Sequence, residues 1–394
     1  MAGVSPNVLV MGIESVPRLS WREVCARRLV RHGLAAAHDE PAAAVAAMAG
    51  THAQVLSAAE LAIGLRTAGA TRADVRTALW DEHTLVKTFG PRGTVHLLPS
   101  RDLPLWVAAL SAVPAAPSPF PDGARMTEEQ AEAVIEAIGT VLEGAELTVD
   151  ELGEAVVEAT GSWAGDLVMP AFQTMWPRWR QVMNLAGVRG VLCFGPNRGR
   201  KVTYTSPRRW LPGFAPAAER PALAHTVRSY LHAYGPATPR RFAHWLGAPA
   251  RWAEDLFASL AGELQRVEVE GHPAWVAAGD LDVPSEPPRC VRLLPYFDGY
   301  AYRVGNQPPE LLYPGPAAER ALRGNFQLLL VDGVVAGLWH QRRSGRHLDI
   351  TVEPLVRLTA AQRDEVGHQA ERVGEILEAR ARPVFGTVTV GGHA

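Results

Sequence analysis

VLCFGPNRGRKVTYT, residues 191–205, reads as two short apolar strands closed by a glycine-bounded, basic turn. The strands, 191–194 and 201–205, carry the β-branched and aromatic side chains that pack on a pleated surface. Gly195 and Gly199 permit a tight reversal, and Arg198, Arg200 and Lys201 project from its tip. Upstream, residues 128–142 show helical apolar spacing. A second helix over 148–160 opens with Thr148-Val149-Asp150-Glu151, whose hydroxyl and carboxylate can satisfy the first backbone N–H groups. A further helical stretch is expected over 169–186.

The same plan recurs on both sides. Before it come helices over 21–32, 58–66 and 72–80, then strands 85–89 and 94–98 around the turn 90–93. After it come helices over 222–233, 238–246 and 248–260, with Thr238-Pro239 as a good helix start. Strands 265–269 and 274–277 then flank Glu270-Gly271-His272-Pro273. A hairpin following three helices is the outline of a winged helix, a helix-turn-helix variant, and three in succession predict a tandem array. The proline-rich stretches 114–121 and 284–288 read as linkers. Beyond them, 290–295, 326–331, 334–340 and 347–352 alternate as strands and 360–379 is helical. The predicted fold class is α+β: three winged-helix units over 19–113, 122–216 and 217–283, then a β-rich α+β domain over 289–390.

Composition narrows the function. The 394 residues are 47% hydrophobic and 20% charged, as in an ordinary globular chain of two to four domains. No apolar run reaches the roughly 18 residues needed to span a bilayer. The first residues lack the basic start and apolar core of a signal peptide. Cys25, Cys193 and Cys290 lie far apart, forming neither a disulfide framework, a zinc motif nor an iron–sulfur quartet. A cytoplasmic location without membrane contact is expected. Neither a nucleotide-binding phosphate loop nor a Gly-x-Ser-x-Gly elbow occurs, so no metal, nucleotide or other cofactor is expected.

Net charge is −2, yet residues 178–209 contain eight Arg and Lys and no Asp or Glu. That local positive field suits a surface facing duplex DNA, the alternative being a merely solvated basic face. The foremost DNA candidates are Arg198, Arg200 and Lys201. Arg92 in the first hairpin turn, and Arg240 and Arg241 at a helix start where backbone N–H groups also favour phosphate, join them. Residues 297–303, FDGYAYR, read either as a loop against DNA through Arg303 or as an aromatic lid on the sheet.

MAGTHAQ at 48–54, RGTVHLLP at 92–99, AYGPATPRRFAHWLG at 233–247, VRLLPYFDGYAYR at 291–303, and GLWHQRR at 337–343 with LDITVEP at 348–354 follow one another in order. In these the chain resembles the winged-helix DNA glycosylases of the AlkZ and YcaQ type, which act in azinomycin resistance and interstrand-crosslink repair. The likeness runs over roughly residues 19–373. It implies a C-shaped monomer whose three winged helices surround duplex DNA carrying alkylated bases. It also implies a monofunctional glycosylase excising bulky N7-alkylguanine, in self-resistance to a genotoxic natural product. The family's catalytic signature is Gln–apolar–Gln or Gln–apolar–Asp, and the matching residues here are His52, Ala53 and Gln54. The second polar position agrees and the first departs.

That departure has chemical content. An N7-alkylated guanine already carries positive charge, so the site must mainly hold a water and stabilise a cationic sugar. A Gln carbonyl orients water, whereas neutral imidazole also accepts its proton. Residues at i and i+2 of an extended segment share one face, leaving Ala53 for the core. The bland alternative is that His52 caps the following helix. His96 is a candidate supporting residue on the hairpin behind. A non-catalytic winged-helix regulator is the competing function, but it requires no such pair and usually dimerises to read DNA. A small-molecule hydrolase on the same scaffold is a third.

Overall fold

The computed structural model describes residues 16–118, 120–171, 174–301, 308–324 and 326–389. Local chemistry sets the helix starts. Ser20, Thr71, Thr127, Thr148 and Thr359 each close a capping box with an acid or Gln three residues on.

One motif repeats three times. In the first, Thr51–His52 pairs antiparallel with Val95–Pro99, which pairs with Leu85–Phe89. In the second, Glu146–Thr148 pairs with Lys201–Thr205, which pairs with Cys193–Arg198. In the third, Ala237 bridges Trp275 of the hairpin Leu264–Val269 and His272–Ala277. Each time a short extended segment just ahead of a helix lies on the second strand of the hairpin. The helices so introduced are Leu56–Gly64, Val149–Thr160 and Pro239–Leu246.

Two elements differ from the sequence expectation. The helix Trp21–Arg31, read as part of the first unit, docks elsewhere: Leu29 packs with Leu294, Leu328, Leu330, Leu338 and Tyr300. Just ahead of it, Arg18–Leu19 adds a parallel strand to the third hairpin. Its buried face includes Arg27, which donates to the backbone carbonyls of Asp280 and Asp282, and Arg28, which donates to that of Tyr300. Periodicity counts such residues as polar and cannot place that face. Residues 169–186 are not one helix. Leu167–Ala171 and Thr174–Pro177 form an exposed hairpin, followed by a tight turn and the short helix Met183–Val188. Pro170 and Pro177 lack the N–H a helix interior needs.

The C-terminal part is a five-stranded sheet in the order Val291–Leu294, Gln327–Val331, Val334–Ser344, His347–Pro354, Arg380–Phe385. Its last strand, parallel to its neighbour, was not legible in the alternation. The helix Ala360–Ile376 covers one face, and Leu61 and Leu65 join that core. Arg372 donates to the carbonyls of Gly64, Thr67 and Ala70, occupying acceptors at the end of the Leu56–Gly64 helix. Another core is shared by the first two hairpin units, with Val45, Ile63 and Leu79 against Ile138, Leu152 and Leu192. Among the described residues no helix is long and apolar enough to cross a membrane.

Candidate active site

The helix Pro41–Ala47 ends in an abrupt reversal, with Ala49 at φ 53° and Gly50 at φ 93°. A β-carbon at Gly50 would lie 2.9 Å from Leu98 Cδ2, so the chain turns there directly against the hairpin. Thr51 and His52 then face Leu97 and His96 across the ladder, and the Ala53 N–H donates to the Val95 carbonyl at 2.7 Å. Ala53 is fully buried, His52 half-buried and Gln54 exposed. Both polar side chains of the tripeptide therefore stand outside the core into which Ala53 points.

Among the described residues, the rings of His96 and Phe297 touch the His52 imidazole. That of His96 is 5.4 Å away in a T-shaped contact, and that of Phe297 is 5.1 Å away, tilted by 49°. His96 is buried, with Nδ1 2.9 Å from the Thr94 carbonyl oxygen; since that oxygen only accepts, Nδ1 carries the proton. Burial pushes its pKa down to about 3, against a smaller opposing pull from the Thr94 bond. Burial, then Arg66 and Arg28, also holds buried His32 well below the usual histidine range.

Both rings stay neutral in the folded protein at pH values where the unfolded chain protonates them. Their full contribution to stability is present above about pH 6.5 and is lost as pH falls, because the unfolded state then binds more protons. For His96 the loss at pH 5 is about 2 kcal/mol. His96→Asn keeps an N–H for Thr94 but cannot titrate. Between about pH 7.5 and pH 5 its thermal midpoint should fall less than that of the wild type. Equal falls would show that His96 does not titrate this way.

Phe297 reaches His52 from a distant part of the sequence. It lies at φ 59°, a conformation that costs a β-carbon-bearing residue about 1–3 kcal/mol. The next residue, Asp298, is buried and forms a two-point ion pair with fully buried Arg66, at 2.8 and 2.7 Å. Asp298 also accepts from the Tyr300 N–H at 3.0 Å. Tyr234, on the helix Glu219–Tyr234, donates from Oη to the Met48 carbonyl at 2.7 Å. A β-carbon at Gly299 would meet that same Oη at 2.8 Å. None of Arg66, Tyr234, Phe297 and Asp298 was singled out in sequence as a site residue. The only signal was the glycine-containing aromatic run at 297–303.

Several of the cations are paired with carboxylates. Arg198 pairs with Glu151, and Lys201 lies 2.7 Å from Asp150, both acids in the first turn of Val149–Thr160. Arg200 is exposed at the turn. Arg240 lies 3.2 Å from Glu254, while Arg241 is exposed beside it in the first turn of its helix. Arg92 is half-buried at φ 59° and donates to the Trp245 carbonyl. Its turn also packs on Gly247 and, through Gly93, on Asn184, so it is wedged between the other two hairpin units. Arg303 lies outside the described residues. Among the described residues no cluster of three or more His, Cys, Asp or Glu suits a metal ion.

Comparison with known proteins bears on this arrangement. The profile of the family described as "DNA glycosylase AlkZ-like" matches residues 45–376. An "Interstrand DNA cross-link repair glycosylase" of Streptomyces sahachiroi is 32% identical over 337 residues, covering 82% of this chain and 88% of that protein. The solved structure of Streptomyces sahachiroi DNA glycosylase AlkZ superposes with a TM-score of 0.79 at 28% identity, covering 93% of this chain and 100% of that one. The profile takes in the His52 segment, the Arg66–Asp298 pair and most of the C-terminal sheet, and the chain belongs to the AlkZ-like family of DNA glycosylases.

Proposed function

We propose that the protein is a monofunctional glycosylase for duplex DNA carrying bulky cationic N7-alkylguanine, with His52 and Gln54 holding the hydrolytic water. The observation that carries this reading is the outward placement of His52 and Gln54 around fully buried Ala53, at the family's signature position. Gln54 orients the water, and His52, as neutral imidazole, accepts its proton as the hydroxyl adds to the anomeric carbon. The bond to the base breaks with its electron pair going to the base, whose positive charge is thereby neutralised. No acid is needed for such a leaving group. Interstrand crosslinks joined through guanine N7 belong to the same chemistry, in line with the name of the Streptomyces relative. Self-resistance to a DNA-alkylating natural product is the corresponding biological role.

The three hairpin motifs, read as winged helices arranged in a C around the duplex, supply the DNA surface of a monomer without a cofactor. A surface of this kind reads an adduct from outside the helix instead of drawing a flipped base into a closed pocket, so adduct size is tolerated. Duplexes bearing small and bulky N7-alkylguanines or a crosslink should be converted to unnicked abasic sites, and those bearing uracil or 8-oxoguanine left intact. Brisk uracil removal, or strand cleavage, would overturn the reading.

Arg92, Arg198, Arg200, Lys201, Arg240, Arg241 and Arg303 are the proposed DNA contacts. The exposed pairs of Arg198 and Lys201 with Glu151 and Asp150 are of a kind worth little, so phosphate can displace the carboxylates. Replacing Arg198, Arg200 and Lys201 with Ala should weaken binding to any duplex. It should also flatten the plot of log K against log salt by about 0.9 per lost contact. An unchanged slope removes this turn from the interface.

A further inference from the structure

We infer that Phe297 is a positioning residue for base excision, held against the His52 ring by the Arg66–Asp298 ion pair and by Tyr234. The inference rests on the catalytic reading of His52 and adds a second part of the chain to that site.

Three features that stability alone does not account for converge on this one contact. Phe297 occupies a left-handed backbone conformation, which persists only where the surroundings impose it. Its ring is half-exposed beside His52, whereas apolar burial alone would draw it into a core. The neighbouring ion pair is fully buried, an arrangement whose desolvation offsets most of its attraction. What these features achieve together is geometric. Asp298, gripped at both oxygens by Arg66 and bonded to the Tyr300 N–H, fixes the backbone on one side of Phe297. Tyr234 abuts Gly299 while donating to the Met48 carbonyl, four residues ahead of His52. One tyrosine thus sets the spacing between the loop that carries Phe297 and the segment that carries His52. The His96 and Phe297 rings, both against the imidazole, limit how far it swings. A proton acceptor for a bound water is effective only in the aligned orientation, and displacement of about 1 Å costs up to about 100-fold.

The test uses the full chain with a duplex bearing one N7-methylguanine, enzyme in excess, and a tetrahydrofuran abasic-analogue duplex for affinity. Phe297→Ala should slow single-turnover excision by about 10- to 100-fold, leaving affinity for the analogue within about twofold and the thermal midpoint nearly unmoved. Phe297→Tyr, which keeps the ring, should recover the rate to within about threefold of wild type. Asp298→Asn should be slow as well. Because it acts through Phe297, the double variant Phe297→Ala/Asp298→Asn should be about as slow as the slower single, not the product of the two losses. A wild-type rate for Phe297→Ala, or multiplicative losses in the double variant, overturns the inference. If Asp298→Asn fails to fold, the contrast between Phe297→Ala and Phe297→Tyr decides alone. His52→Ala, run alongside, separates the two ideas. A slow His52→Ala with a normal Phe297→Ala rejects the positioning role only, while a normal His52→Ala rejects the catalytic reading itself.

Discussion

Alanine at position 52 is expected to slow base excision by about 10²–10⁴-fold, the range supplied by a positioned proton acceptor, with affinity for the damaged duplex near that of the wild type. His52 is half-buried on a two-residue strand whose backbone is secured by the second strand of the hairpin, so truncating its side chain leaves the fold intact. Gln54→Ala should fall in the same direction, because the second anchor of the water is lost. His52→Gln supplies an amide that orients water without removing its proton, and should retain part of the rate. Single-turnover rates for the wild type and the three variants check this, and an undiminished rate in His52→Ala ends the proposed role.

The second large effect is on stability. Asp298→Ala leaves the Arg66 guanidinium charged in a fully buried site with its carboxylate gone, for which the expected cost is about 3–5 kcal/mol. That is a large share of the roughly 5–15 kcal/mol by which folded proteins are usually stable. The variant should therefore show a sharply lowered thermal midpoint and reduced yield. Arg66→Met/Asp298→Leu removes both charges and should recover much of the loss. The recovered protein should excise slowly, because apolar side chains do not reproduce the two-point grip that aligns Phe297. Thermal unfolding of the single and double variants measures the first part. A loss below about 1 kcal/mol in Asp298→Ala would mean that water reaches the pair.

Much of the architecture is local and therefore readable. The capping residues Thr127 and Thr148 announce their helices, and the hairpins around Gly90, Gly199 and Gly271 follow from strand alternation broken by turn residues. Ala53 between two polar residues was readable as an inward position for the same reason: one extended backbone places alternate side chains on opposite sides. The order of the motifs, and with them the family, is likewise a property of the chain alone.

What lies against these elements was not readable. The destination of Trp21–Arg31 depended on arginines that are polar by type but buried by contact, each carried inward because backbone carbonyls on other segments accept its N–H groups. The hairpin at 167–177 sat where proline placement outweighed an apparently helical composition. Arg198 and Lys201 looked like open cations until folding brought them beside Asp150 and Glu151, some fifty residues earlier. The sequence by itself determined the repeated helix–hairpin units, the tripeptide at 52–54 and the family, because these are written in short-range spacing and residue type. Only the tertiary structure decided that Phe297, Asp298, Arg66 and Tyr234 gather around that tripeptide. Their meeting depends on long-range packing and on a buried charge pair, and neither leaves a periodic trace in the chain.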